Sequence, residues 1–474
     1  MSKKNLREGI LFIVAVVGLA GCEQPDTTIP SVHITSPTNG ELVEDTVQVT
    51  CTASDNIGIK RVELWVDAEY SGEFDNSEPY QLEFIATNYL PGSQHVIVAR
   101  AIDNSNNIAD SSPITLTISP GFMKTYGSTQ SEEARAVIQT VEGGYLLAGN
   151  GNGNVLIVKT DDKGNSVWQR EYGGSSWGEA HAVIQSSDGG YVIAGSGGPD
   201  HQMLLLKIDQ EGNEVWLKYF KRGIDYDEGN AIQETLDGGY VITGCTNFTG
   251  HRFRGNLWLL KTDATGNLEW ESEFGGSNYD VGHGVLPTSE GGYIVVGGTG
   301  SYTGGGTAAW MIKTDEFGNE EWDQIYRGEN IGGDCGLSII SSEGGGYTIS
   351  GYKANQPWVI KVDASGFKEW EKVLAEGIWG MSRSIEQSED FGYIIVGTID
   401  NNDSSQDVHL IKIDATGGIE WQWKYGGMEN DDAYSVQQTT DGGYVIGGMT
   451  NSYGDGMADM FLIKTDSEGN TIAL

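Results

Sequence analysis

The stretch KTDATGNLEW, residues 261–270, reads as the end of one strand, a tight turn and the start of the next strand. The same phrase returns as KTDDKGNSVW at 159–168, KIDQEGNEVW at 207–216, KTDEFGNEEW at 313–322, KVDASGFKEW at 361–370 and KIDATGGIEW at 412–421. It begins a last time at 464, as KTDSEGNTIAL. Local chemistry explains the wording. Asp263 accepts backbone N–H groups inside the turn, and Gly266 supplies the left-handed conformation that a side chain resists. Trp270 then opens the following strand with a ring large enough to fill the wedge between two packed sheets.

Around this phrase a longer unit recurs. A strand rich in small residues leads to (D/E)GGY, then a strand ending in Gly, a loop, and the apolar strand that runs into K-x-D. The Tyr of GGY falls at 145, 191, 240, 293, 347, 393 and 444. Seven units of about 50 residues, each with four strands, read as the blades of a β-propeller over 120–474. The seventh unit lacks its outer strand. FMKTYGS at 122–128 matches the missing piece, with Phe122 in the Trp slot and Tyr126 where Tyr172 stands. The expected fold is therefore all-β, with a seven-bladed propeller closed by its own N-terminal strand, because closure removes an open edge.

Composition agrees. Gly accounts for 69 of 474 residues and Pro for only 10, as suits many tight turns between short strands. The net charge of −39 repels nucleic-acid phosphates and anionic lipid surfaces, so neither is expected as a direct partner. Cys51, Cys245 and Cys335 lie in different segments without a CxxC spacing, and read as small buried apolar residues.

The N-terminus joins a basic start, MSKKNLR, to the 13 apolar residues GILFIVAVVGLAG, too few to span a bilayer and enough for a signal-peptide core. It ends in Leu19-Ala20-Gly21-Cys22, which resembles the bacterial lipoprotein signal. That resemblance implies cleavage, lipidation of Cys22, and a tether at 23–29. It implies an exported envelope protein held to the membrane only by its lipid, with Glu23 favouring the outer membrane or cell surface.

Residues 30–119 do not share the repeat. SVHITS, VQVTCTAS, RVELWVD, YQLEFIA, HVIVARAID and PITLTIS read as the six or seven short strands of a sandwich. DNIGIKRVELWVD and PGSQHVIVARAIDNSNNIADS resemble the bacterial Ig-like modules of exported proteins. Asp55, Asp103 and Asp110 sit in loops where some such modules hold calcium; turn-forming Asx chemistry explains them equally well.

The D-x-x-G-N-x-x-W phrase resembles the repeat of PQQ-like propellers, and the (D/E)GGY half resembles repeats of exported bacterial proteins without assigned chemistry. Seven units depart from the eight of quinoprotein enzymes. HExxH and P-loop patterns are lacking from the sequence, and a Lys repeated in every unit is structural before it is catalytic. No cofactor is expected, calcium apart.

Fixed turns serve the fold, so the face carrying the irregular loops is the candidate for binding. It holds NFTGHRFRGN, with Arg252 and Arg254, and the inter-unit residues Trp177 and Trp379. Its loop at 298–309 reads as flexible. Ten residues before each Tyr landmark stand Arg135, His181, Asn230, His283, Leu337, Arg383 and Tyr434. Placed on innermost strands, they either ring a channel mouth that suits an anionic or sugar-like ligand, or plug a tapering channel, which is the preferred alternative. The expected function is that of a monomeric, non-catalytic envelope lipoprotein binding a protein or carbohydrate. The alternatives are a PQQ-like or carbohydrate-active enzyme and an assembly scaffold.

Overall fold

The computed structural model describes residues 25–471 apart from 44–45, 90–91, 120, 174–176, 250–253, 329–332, 402–404 and 456. The chain forms two compact units, one ending at Ile118 and one beginning at Ser119. Both are all-β; the helical content described is a single 3-10 turn at Ala86–Asn88.

The first unit stacks two sheets. Ser31–Ser36, Thr46–Ser54 and Tyr80–Ile85 make the smaller one. The larger contains Leu42–Val43, Ile114–Ile118, Gln94–Asp103, Ile59–Val66 and Glu69–Asp75, with Ile108–Asp110 beside Gln94–Asp103. Alternation drives this arrangement: Tyr80–Ile85 buries Tyr80, Leu82 and Phe84 and exposes the residues between. These side chains meet Val49, Val62, Leu64, Ile97 and Leu116 in one core. The six strands legible in the sequence are present, and three more join them. Glu69–Asp75 was illegible because its residues, EYSGEFD, face water on both sides of an edge strand.

The second unit contains seven four-stranded antiparallel sheets among the described residues. The first comprises Glu132–Gln139, Tyr145–Gly151, Asn154–Thr160 and Ser166–Tyr172. The next five repeat it, their first strands being Gly178–Gln185, Tyr226–Glu234, Asp280–Pro287, Asp334–Ser341 and Gly380–Gln387. The seventh has Asp431–Gln438, Tyr444–Thr450 and Asp459–Thr465 in sequence, and its fourth strand is Phe122–Tyr126. The pairing is antiparallel, from Phe122 opposite Lys464 to Tyr126 opposite Met460, and it puts in place the strand that the correspondence of Tyr126 with Tyr172 predicts.

The turn phrase behaves as its chemistry requires. Asp263 Oδ1 accepts the N–H groups of Thr265 at 2.8 Å and Asn267 at 2.9 Å, and Gly266 has φ +76°. Each such Gly also lies against the aromatic ring of the preceding sheet. A Cβ at Gly318 would stand 2.4 Å from Trp270 Cζ3, and Gly212, Gly266, Gly366, Gly417 and Gly469 lie likewise on Trp168, Trp216, Trp322, Trp370 and Trp421. Gly164 of the first sheet lies in the same way on Phe122. Tyr126 donates its hydroxyl to Gly164 O at 2.6 Å, as Tyr172 does to Gly212 O at 2.6 Å. The repeated Lys is an internal tie: Lys261 Nζ, buried, reaches Asp237 of the GGY turn at 2.8 Å and Glu269 of the outer strand at 2.9 Å.

The middle strands of each sheet are covered on both faces, as in Tyr191–Gly197, where every residue is buried. Cys51, Cys245 and Cys335 are buried and free. Burial pushes the Cys51 thiol up to about 11 and that of Cys335 up to about 12, so they serve as packing.

Candidate functional site

Two ends of the sheets are chemically distinct. The GGY and DxxGN turns share one. At the other, the loop between second and third strands meets the chain entering the next sheet. Gly178 N donates to Gly153 O, Asp227 N to His201 O, Asp334 N to Thr307 O, Gly380 N to Asn355 O and Glu132 N to Ala458 O. The irregular loops and the inter-sheet connections therefore lie together.

Buried acids hold this loop end in place. Asp280 Oδ1 accepts from Thr299 Oγ1 at 2.5 Å, and its Oδ2 accepts from Gly276 N at 2.9 Å and Ser301 Oγ at 2.5 Å. Asp431 likewise binds Ser452 Oγ at 2.7 Å and Gly427 N at 2.9 Å, while Asp227 binds Asn247 N and Arg222 N. Sequence reasoning missed these acids. Their signal was an acid two residues before a small one, as in Asp227-Glu228-Gly229 and Asp280-Val281-Gly282. The loop at 298–309, expected to be flexible, is instead tied down. Arg327 donates to the carbonyls of Thr303 and Gly305, and Tyr302 OH donates to Gly275 O at 2.9 Å.

The seven varied positions share one backbone feature. Arg135, His181, Asn230, His283, Leu337, Arg383 and Tyr434 each occupy the residue skipped by the ladder between first and second strands, a β-bulge. A bulge leaves its residue unpaired and re-aims its side chain. The first strands of successive sheets pack side by side, that of the seventh beside that of the first. The bulge side chains thereby meet across sheets. The guanidinium of Arg135 lies 4.5 Å from the centroid of the Tyr434 ring, and that of Arg383 lies 4.6 Å from it. His181 Nδ1 lies 3.0 Å from Asn230 Oδ1, and Asn230 Nδ2 donates to Gly282 O at 3.0 Å. Burial pushes His283 down to about 4, and the charges of Glu228, His181 and Arg383 act on it as well. All seven positions remain half-buried.

A second set of side chains, two residues earlier on each first strand, alters the charge of this cluster. Glu133 pairs with Arg135 at 2.8 Å, Glu179 Oε2 lies 3.3 Å from His181, and Asp432 lies 3.6 Å from Arg383. Glu228 Oε1 accepts from Cys245 Sγ at 3.4 Å. Four carboxylates thus face two guanidiniums, which suits a neutral, hydroxyl-rich ligand better than an anion.

Of the exposed aromatics, Trp177 belongs to a cluster. Its ring lies 5.3 Å from that of His201, which lies 4.1 Å from Tyr226. Trp177 and Tyr226 are 38% and 42% exposed, so the cluster offers ring surface to solvent. His201 itself has φ +51°, in the left-handed region. Trp379 is equally exposed but joins no ring cluster among the described residues. Cys22 and Arg252 lie outside the described residues, as does the side chain of Arg254.

The acidic loop residues of the first unit need one correction. Asp55 and Asp103 do come together, with carboxylate oxygens within 4.8 Å, but the third member is Asp26, not Asp110. Asp110 is held by Arg100 at 2.6 and 2.9 Å, and the guanidinium also stacks on Trp65. Asp103 accepts N–H groups from Ser105 at 2.7 Å and Asn107 at 2.8 Å, which accounts for it without a cation.

No curated protein is similar enough to this chain to count as a relative. Among solved structures, the fibronectin(III)-like modules of CbhA from Clostridium thermocellum are 31% identical, covering 19% of this chain and 93% of their own, with a TM-score of 0.16. A protein of unknown function from Dyadobacter fermentans aligns over 73% of this chain and 99% of its own at 9% identity and a TM-score of 0.45. Sqt1 from Chaetomium thermophilum aligns over 70% and 82% at 10% identity and a TM-score of 0.43. Scores this low carry no argument. Residues 30–99 match the bacterial Ig domain family, and with its two stacked sheets the first unit is an Ig-like module.

Proposed function

We propose that the seven sheets form a closed seven-bladed propeller, and that the protein is a non-catalytic envelope lipoprotein whose loop end binds a protein or glycan partner. Cys22 carries the lipid in this reading, and the Ig-like module is a spacer at the bacterial outer membrane or cell surface. Three joints between seventh and first sheets support closure: Glu132 N to Ala458 O, Phe122 on Gly164, and Val137 N to Ser435 Oγ at 3.2 Å.

The observation that carries the binding role is the exposed Trp177–His201–Tyr226 cluster on the irregular loops. Flat rings exposed at a loop end present what the hydrogen-rich face of a sugar stacks on. The test is a glycan array probed with the full chain in detergent. Saturable binding to an uncharged glycan, reduced at least tenfold by Trp177→Ala, is expected. Redox-active absorbance on adding pyrroloquinoline quinone and calcium would favour an enzyme and overturn the reading. Cys22→Ser should abolish incorporation of labelled fatty acid.

A further inference from the structure

The turn end, which sequence reasoning assigned wholly to the fold, carries its own groove. A cavity of about 420 Å³ opens between the third and fourth sheets, lined among others by Leu236, Lys261, Glu269, Trp270, Tyr293 and Phe317. Its lips depart from the repeat. At the position of Leu236 the other units carry Val141, Ser187, Ser289, Glu343, Glu389 and Thr440; at that of Phe317 they carry Lys163, Glu211, Thr265, Ser365, Thr416 and Glu468. The turns themselves keep one geometry. Asp315 Oδ1 accepts from Phe317 N at 2.9 Å, as Asp263 Oδ1 does from Thr265 N at 2.8 Å. The backbone therefore does not call for apolar residues here.

Leu236 is nevertheless 100% exposed and Phe317 63% exposed, on facing turns of adjacent sheets. Between them, Trp270 and Tyr293 meet at 5.5 Å and supply an aromatic floor. Acids dominate the polar lining. Asp237, Glu269 and Glu316 stand against one cation, Lys261, whose ammonium is already taken by Asp237 and Glu269. Glu316 is the acid this ion pair leaves uncompensated.

The geometry points to a peptide-binding groove on the turn end, for an extended segment that alternates basic and apolar residues. Leu236 and Phe317 grip an apolar side chain, and a neighbouring lysine or arginine lays its aliphatic stem on Trp270 with its charge toward Glu316. The volume suits two or three side chains. The chain's net charge of −39 steers such a partner toward it and repels acidic competitors. This site is separate from the loop end and does not depend on the binding reading given above.

The test uses the full chain and a labelled, blocked hexapeptide of alternating lysine and leucine, with the glutamate–leucine counterpart as control. Saturable binding of the basic peptide alone is expected, weakened at least tenfold by the double variant L236S/F317S. Serine already occupies the equivalent turns at Ser289 and Ser365, so the fold should tolerate it. Glu316→Gln should weaken binding severalfold, and Val141→Ser, at another unit's turn, should leave it unchanged. Affinity indifferent to L236S/F317S, an equal loss with Val141→Ser, or no saturable binding would overturn the proposal.

Discussion

The DxxGN turns and the bulges of the first strands are both repeated seven times, but they are repeated differently. At the turns, backbone and side chains recur together: the Asp that accepts N–H groups and the left-handed Gly pressed on a ring of the previous sheet. At the bulges only the backbone recurs, and the side chain varies from Arg to His, Asn, Leu and Tyr. A turn closes through local bonds that only certain residues can make. A bulge needs no particular side chain, because the ladder on either side of it defines the conformation. A repeat protein can therefore vary its chemistry at bulges without disturbing its sheets.

The sharpest way to break this contrast is to alter a turn. Gly318 combines φ +79° with ring atoms where a Cβ would go. Gly318→Ala should cost about 3–4 kcal/mol of stability in equilibrium denaturation, from left-handed strain plus overpacking. A loss near zero would mean that the Gly–Trp contact is not structural.

A pH measurement sharpens the comparison from within a bulged strand. Burial raises the Glu386 carboxyl from 4.5 to about 7, while its carboxylate accepts the N–H of Gln438. The folded chain then holds a proton that the unfolded chain has released between those two values, so stability falls as pH rises through that window. About 3 kcal/mol is at stake for a shift of that size. In Glu386→Gln the fall should vanish, read as melting temperatures at pH 5 and pH 8. This residue lies three positions beyond a bulge, where the other units carry Ile138, Ile184, Gln233, Leu286, Ile340 and Gln437, so variation reaches past the bulge and here brings a titrating group into the strand.

The smallest effect is expected at the bulge itself. His181→Ala removes a contact to Asn230 and one to Glu179 on a half-buried side chain, and should cost less than about 1 kcal/mol. A loss several times larger would mean that the bulge residues hold the sheets together and plug a channel, leaving the loop-end cluster as the binding feature.

Much of the fold was legible because its determinants lie close together in sequence. Asp263, Gly266 and Trp270 announce a turn and its packing partner within ten residues, and the missing strand of the seventh unit was found by matching Tyr126 to Tyr172. Less of the site was legible. The varied positions were found by spacing, but nothing local to Arg135 or Arg383 indicates that both lie against Tyr434. The sequence places Asp26 in the tether, whereas its carboxylate neighbours those of Asp55 and Asp103, and Asp110 is held by Arg100 across a strand pair.

By itself, then, the sequence determined the number of units, their turns, and the strand that completes the last sheet, because each follows from backbone preferences and short-range hydrogen bonds. Only the tertiary structure decided which charges oppose one another at the bulges, which rings cluster on the loops, and where two apolar turns face across a groove. Those are relations between residues far apart in the chain. Their energies depend on distance and burial, and neither exists until the sheets have packed.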